Sequence, residues 1–348
     1  MSAWLPLIVP LVKVLVIITI LMTGVAYSTL AERRISAFMQ DRKGPNRVGP
    51  LGLFQPLADG LKFFFKEDIV PDRAYKPVYM MAPLLTLIPA LLTFAVIPFG
   101  TEVTIHGEPY EMMIAPGVHV GIIYLLALSS LGAYGILLAG WSSGNKYSLM
   151  GALRGTSQVI SYELALGLSI LSIVLVTGSF DFRKIVAAQT GGWSHPWFVV
   201  PQILAFVVFV VAIFAETNRL PFDLPESESE IVAGYHTEYS GLRFALFFMG
   251  EYANMITASA LIVLMFLGGW NLPFIKWAWF GSVWGGLLSM AVFCVKTAVL
   301  VYTFIWVRWT LPRFRYDQLM QLGWKRLVPL ALLNLLIFST WLVVGGTP

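Results

Sequence analysis

Residues 216–243, ETNRLPFDLPESESEIVAGYHTEYSGLR, set six carboxylates, Glu216, Asp223, Glu226, Glu228, Glu230 and Glu238, against only Arg219 and Arg243. A run of like charge is ordinarily a solvated face. Here Leu220, Pro221, Phe222, Leu224 and Pro225 alternate with the acids, so the segment is built to pack and to present carboxylates. Carboxyl groups in a low-dielectric setting have raised pKa values and exchange protons near neutral pH. Proton transfer is the chemistry these residues point to.

Three further ionisable residues interrupt apolar runs. Glu163 lies nine residues past Arg154, Glu251 eight past Arg243, and Lys296 twelve before Arg308. At a helical rise of ~1.5 Å these separations put them about 13, 12 and 18 Å into a bilayer. An unpaired charge is costly there, and such residues mark proton or ion pathways facing a polar interior. The static alternative is an ion pair joining Lys296 to Glu163 or Glu251. Lys13, near the outer end of its apolar run, can snorkel and takes no role.

The elements that must hold these groups follow from composition. The 348 residues are 57% hydrophobic and 12% charged, against roughly 25% charged in soluble domains. Apolar runs recur along the chain, and a hydrocarbon layer of ~30 Å takes ~20 helical residues. The fold class expected is an all-α polytopic membrane protein, one integral membrane domain over residues 1–348. About eight transmembrane helices are expected, at 7–31, 78–98, 118–140, 155–177, 197–215, 243–269, 281–307 and 327–345. The first run lacks a basic leader and a cleavage site and is read as a retained helix.

Basic residues orient the bundle. Alternate connections hold 18 Lys and Arg on one side, and Arg183, Lys184 and Lys276 on the other. The basic side is cytoplasmic, so both termini are expected outside. Within the first inner loop, Leu53, Phe54, Leu57, Leu61, Phe64 and Phe65 form an apolar side, and Gln55, Asp59, Lys62 and Lys66 a polar one. Too short to span, this amphipathic helix is expected to lie on the membrane surface or roof a cavity.

Several functions are unsupported. The single cysteine, Cys294, provides neither a disulfide nor an iron-sulfur cluster, and His106, His119, His195 and His236 give no facing haem pair within the bilayer. Phosphate-binding glycine loops are missing from the sequence. The net charge of +4 reflects cytoplasmic loops rather than nucleic-acid binding. No cofactor bound by this chain is expected, so any electrons must come from a partner.

The stretches AERRISAFMQDRKGPNRVGPLGLFQPLADGLKFFFKED (31–68), GWSSGNKYSLMGALRGTSQVISYE (140–163), AETNRLPFDLPESESEIVAGYHTEYSG (215–241) and RFRYDQLMQLGWK (313–325) resemble the H-subunit family of NADH-quinone oxidoreductase, the homologues of mitochondrial NADH dehydrogenase subunit 1. The resemblance covers essentially the whole chain. It implies eight tilted helices, with helices two to six like an antiporter half, and a tunnel from lipid to a quinone site completed by peripheral-arm subunits. Quinone is then the substrate, while iron-sulfur clusters and FMN sit in partner subunits. Small membrane subunits, antiporter-like subunits and lipids are the other neighbours, and a bacterial inner membrane is the location.

Carried over by motif, Glu32, Arg33, Arg42, Asp59 and Lys62 match the charged tunnel lining, and Phe248 and Met249 its apolar wall. Arg219, Asp223, Glu226, Glu228 and Glu230 match the mobile loop between helices five and six. Glu163, Glu216 and Glu251 match the acidic path into the membrane. SSGNKY replaces the more usual SNSKY, and His119 stands where an asparagine is usual. The competing readings are the related membrane subunit of an energy-converting hydrogenase, which uses no quinone, and a stand-alone secondary transporter. The full GPNRVGPLGLFQP and AETNRLPFDLPE stretches favour the respiratory form.

Overall fold

The computed structural model describes residues 5–105, 108–190, 197–273, 275, 277 and 282–345. Helix α1 (Leu5–Met39) is followed by α2 (Gln55–Phe65), α3 (Lys76–Leu92) and an antiparallel hairpin, β1 (Val103–Ile105) with β2 (Glu108–Tyr110). Next come α4 (Gly121–Ser142), α5 (Lys146–Thr177), the short α6 (Phe182–Ala188) and α7 (Ile203–Glu216). The acidic segment contains only the single turn α8 (Glu228–Ile231) before α9 (Gly241–Phe266) and α10 (Ser282–Thr310). The last span joins α11 (Tyr316–Gln321), a π-helical stretch (Leu322–Leu327) and α12 (Val328–Val343).

Among the described residues seven helices are long and apolar enough to cross a membrane. The fold is therefore the all-α polytopic class expected. The fifth expected span, 197–215, is shorter than hydropathy alone indicates. Its helix α7 has 14 residues, about 21 Å at ~1.5 Å per residue. It is enclosed by protein, with Ala205, Val208, Phe209 and Ala212 fully buried. The fourth span is longer than expected, because Asn145 caps the helix through the Tyr147 amide at 2.9 Å. The polar inner turns Lys146–Arg154 escape a hydropathy scan but are helical, and the Ser148 hydroxyl donates to the Tyr235 carbonyl at 2.8 Å.

Helices α3, α4, α5, α7 and α9 pack into the core that surrounds the acidic segment. Small residues let them approach, as in other membrane bundles. A Cβ at Gly135 of α4 would meet Thr86 Cγ2 of α3 at 2.4 Å, so a side chain there would force the two helices apart.

The amphipathic helix exists, and its apolar side faces outward. Leu57, Leu61, Phe64 and Phe65 are exposed. The opposite side faces the bundle: Asp59 accepts from Arg33 of α1 at 2.7 Å and Phe63 lies 6.3 Å from Phe244 of α9. Pro56 occupies the first turn, where no amide donor is needed.

The basic-residue asymmetry makes a direct prediction. Reporter fusions ending after Gly144 should be active only with a cytoplasm-dependent reporter, and those after Gly117 only with an export-dependent one. The reverse pattern in stable fusions overturns the orientation.

Candidate functional site

The acidic segment is tied down at both ends, which fixes where its carboxylates fall. At its start, Gln158 of α5 donates from Nε2 to the carbonyls of Ala215 at 2.6 Å and Phe222 at 2.7 Å. At its end the Tyr79 and Tyr239 rings stack at 4.2 Å, and the Tyr79 hydroxyl donates to the Glu238 carbonyl at 2.7 Å. In between, Pro225 sits over Gly155, where a Cβ would be 2.6 Å from Pro225 Cγ.

Arg219 is the centre of the arrangement. Its side chain is 3% exposed, and Nη1 lies 3.1 Å from Glu32 Oε2 while Nε lies 3.5 Å from Glu251 Oε1. The guanidinium is stacked 4.2 Å from the Tyr252 ring centroid, and the Tyr252 hydroxyl donates to Glu32 Oε2 at 2.7 Å. Arg308 of α10 pairs with the other Glu32 oxygen. Two cations and two carboxylates from four separate chain regions thus balance one another. Burial works against the Arg219 cation, but Glu251, Tyr252 and Glu32 hold it above its ordinary pKa range.

Beside this cluster Arg313 donates to Asp223 Oδ2 at 2.7 Å. Burial pushes Asp223 up to about 6, with Arg313 opposing and Glu251 adding to the rise. Glu226 is raised well above its ordinary value, first by burial and then by the charges of Glu251 and Asp223. At about 6, the Asp223 carboxyl can take up or release a proton near neutral pH.

Glu226 and Glu251 open on a cavity that runs between α3, α4, α7 and α9 to Glu216 and Ser129, passing Asn254. Its volume open to water centres is about 70 Å³, and one water takes ~10–15 Å³ by that measure. Ser129 and Glu216 share the lining of this cavity, and the charge of Glu163 acts on Glu216. Ser130 in turn donates to Glu163 Oε1. The carboxylates therefore follow one another from the loop into the bundle.

The structure brings together Glu32, Arg219, Asp223, Glu226 and Glu251, with Glu216 and Glu163 farther along. It does not bring in all the residues singled out from sequence. Arg33 and Asp59 pair at the surface end of α1, Lys62 is exposed, and Arg42 donates to Gln40 at 2.7 Å away from the cluster. Glu230 pairs with Arg154, and the side chain of Glu228 lies outside the described residues. Phe248 and Met249 are half-buried on α9, against the core. His106, His195 and Lys276 also lie outside the described residues.

Sequence reading missed Arg308, Arg313 and Tyr252 as members of the cluster. The two arginines counted only toward orientation, and a tyrosine next to Glu251 was the remaining signal. The static pair between Lys296 and a glutamate is not what forms. Lys296 Nζ donates instead to the carbonyls of Leu267, Gly269 and Asn271 at 2.7, 2.9 and 2.7 Å and lies 4.3 Å from the Trp197 ring. It caps the C-terminal end of α9, where carbonyls lack amide partners and the helix dipole favours a cation. Lys296→Met should therefore lower the thermal midpoint of the detergent-solubilised protein by several degrees. An unchanged melting curve refutes the capping role.

Fold and site together define a polytopic membrane protein with a buried guanidinium-carboxylate cluster beside a small cavity whose lining includes three glutamates. The family description NADH dehydrogenase matches residues 12–339. The H subunit of NADH-quinone oxidoreductase from Leptospira biflexa is 49% identical over 339 residues, covering 95% of this chain and 94% of the relative. A second such H subunit, from Geobacter metallireducens, is 50% identical over 335 residues, covering 96% of each. A third, from Koribacter versatilis, is 45% identical over 354 residues, covering 97% and 98%. The chain belongs to this H-subunit family of NADH-quinone oxidoreductase.

Proposed function

We propose that this chain is the membrane subunit of a proton-pumping NADH-quinone oxidoreductase, in which it forms the quinone tunnel and couples quinone reduction to proton movement. The observation that carries the reading is the small cavity lined by Glu226, Glu251 and Glu216 beside the Arg219 cluster, with Glu163 acting electrostatically on Glu216. Carboxyl groups around such a cavity pass protons through intervening waters, and Asp223 and Glu226 lie at the loop end, where a change of charge in the tunnel reaches them first. Glu228 and Glu230 extend the acidic loop on its cytoplasmic side. Glu32, Arg33, Arg42, Asp59 and Lys62 line the polar part of the tunnel, and Phe248 and Met249 its apolar wall.

Quinone is the substrate, and the electrons come from peripheral-arm subunits carrying FMN and iron-sulfur clusters. The outward apolar side of α2 gives quinone and lipid a way in, next to the surface on which those subunits dock. Small membrane subunits and antiporter-like subunits complete the assembly in a bacterial inner membrane, with both termini of this chain on the periplasmic side. A photoreactive quinone analogue, illuminated in the assembled complex, should label the segment containing Phe248 and Met249, and excess unlabelled quinone should compete. Labelling confined to other subunits overturns the tunnel assignment.

A further inference from the structure

The carboxylates around the cavity fall into two groups. Asp223 and Glu251 act on Glu226, whereas the carboxylate acting on Glu216 is Glu163. Glu251 is turned toward Arg219 at 3.5 Å, so a proton passing from one group to the other crosses the cavity itself. Asn254 stands at that crossing. It lies three residues on from Glu251 in α9, and both side chains line the cavity. That spacing keeps the two on one helix face, with Asn254 about 4.5 Å farther along the axis.

The other uncharged polar groups of the lining are already committed. The hydroxyls of Thr86, Ser129 and Thr257 donate to carbonyls of their own helices at 2.8, 2.9 and 3.1 Å. Asn218, at the loop, accepts from Gln158 at 3.3 Å. Among the described residues the Asn254 side chain meets no protein hydrogen-bond partner, although it borders the cavity. An enclosed amide of this kind is satisfied by ordered water. The space suffices, because about 70 Å³ open to water centres holds several waters at ~10–15 Å³ each.

We propose that Asn254 is a positioning residue of the proton path, holding the waters that join Glu251 to Glu216. The inference rests on the acid-path reading above and deepens it. Oδ1 accepts from one water while the two Nδ2 hydrogens donate to others, which orients the chain. A proton leaving the Glu251 carboxyl binds the first water as that water passes one of its own hydrogens onward, and the last water gives one to the Glu216 carboxylate. Each water loses one O–H bond and gains one, so none is consumed and the amide is unchanged. The titratable groups lining the cavity are Glu216, Glu226, Glu251 and Tyr235. A neutral amide among them orders water without adding a further site at which the proton stops.

The alternative is that Asn254 only fills space between helices, and substitutions in the intact complex separate the two roles. Asn254→Leu keeps the bulk without hydrogen bonding, Asn254→Gln keeps the amide, and Asn254→Asp keeps the shape while adding a titrating group. Water holding requires quinone reductase turnover at least tenfold lower in Asn254→Leu, with a larger solvent deuterium isotope effect than wild type because proton transfer then limits the rate. Asn254→Gln should recover most of that loss, and the pH profile of Asn254→Asp should differ from that of wild type. Near-normal turnover in Asn254→Leu overturns the proposal, as does an equal loss in the Leu and Gln forms with the isotope effect unchanged. Should Asn254→Leu not assemble, a wild-type pH profile in Asn254→Asp overturns it, and failure of all three to assemble assigns Asn254 to packing and does the same. Glu216→Gln, measured in parallel, separates this inference from the reading beneath it. Impaired Glu216→Gln with normal Asn254 variants removes only the water-holding role, and normal turnover and pumping in both removes the acid path.

Discussion

Arg219→Met should nearly abolish the assembled subunit in the membrane. The guanidinium is the shared partner of Glu32 and Glu251 and is itself almost wholly enclosed. Removing one member of a buried ion cluster strands the others, at a cost of about 3–5 kcal/mol. That is a large share of a folding free energy of ~5–15 kcal/mol. Arg308 still faces one Glu32 oxygen, so Glu251 is the group left most exposed to the loss. Arg219→Lys keeps the charge but not the planar fork or the stacking over Tyr252, and should assemble with a lowered thermal midpoint. Native gel electrophoresis and thermal unfolding of the solubilised complex measure both. The combined Arg219→Met, Glu251→Gln protein should recover part of the loss, because the pair is coupled. Wild-type amounts and melting of Arg219→Met would mean that the cluster contributes nothing to stability.

Glu216→Gln should lower quinone reductase turnover at least tenfold in a complex that still assembles, equivalent to ~1.4 kcal/mol on the barrier. Glutamine preserves size and place in the cavity lining but carries no exchangeable carboxyl proton. Glu238 is the internal control. Its Oε1 accepts from Asn145 Nδ2 at 2.6 Å, and it is not among the residues lining the cavity. Glu238→Gln should therefore retain near-normal turnover. A solvated acid would respond to such a change by only about half a kcal/mol of stability. Normal turnover and normal proton pumping in Glu216→Gln would exclude Glu216 from the path.

These two effects come from different kinds of information. Hydropathy is a sum over neighbouring residues, so the apolar spans and the existence of α2 were legible in the sequence, and the count of basic residues gave the expected orientation in the same local way. The acid-rich segment stood out as well, because its carboxylates interrupt a side of the protein otherwise rich in lysine and arginine. Glu163 and Glu251 were visible for the same reason, as ionisable residues within apolar runs.

Who pairs with whom is not a local property. Glu32 meets Arg219 across 187 residues and Arg308 across 276, and nothing in the spacing along the chain encodes those contacts. Lys296 illustrates the point in reverse: depth alone made an acidic partner reasonable, whereas the turn that follows α9 supplies three carbonyls at hydrogen-bonding distance. The same holds for α2. Its periodicity fixed the two sides of the helix, but Arg33 and Phe244 decided that the side bearing Asp59 and Phe63 turns inward. The class of fold and the identity of the acidic residues were thus written in the order of amino acids, since transfer free energies and propensities travel with each residue. The pairing of Arg219, the gathering of carboxyl groups around one cavity and the place of Asn254 in its lining came instead from packing, which selects one arrangement of distant helices and so sets each charge's neighbours.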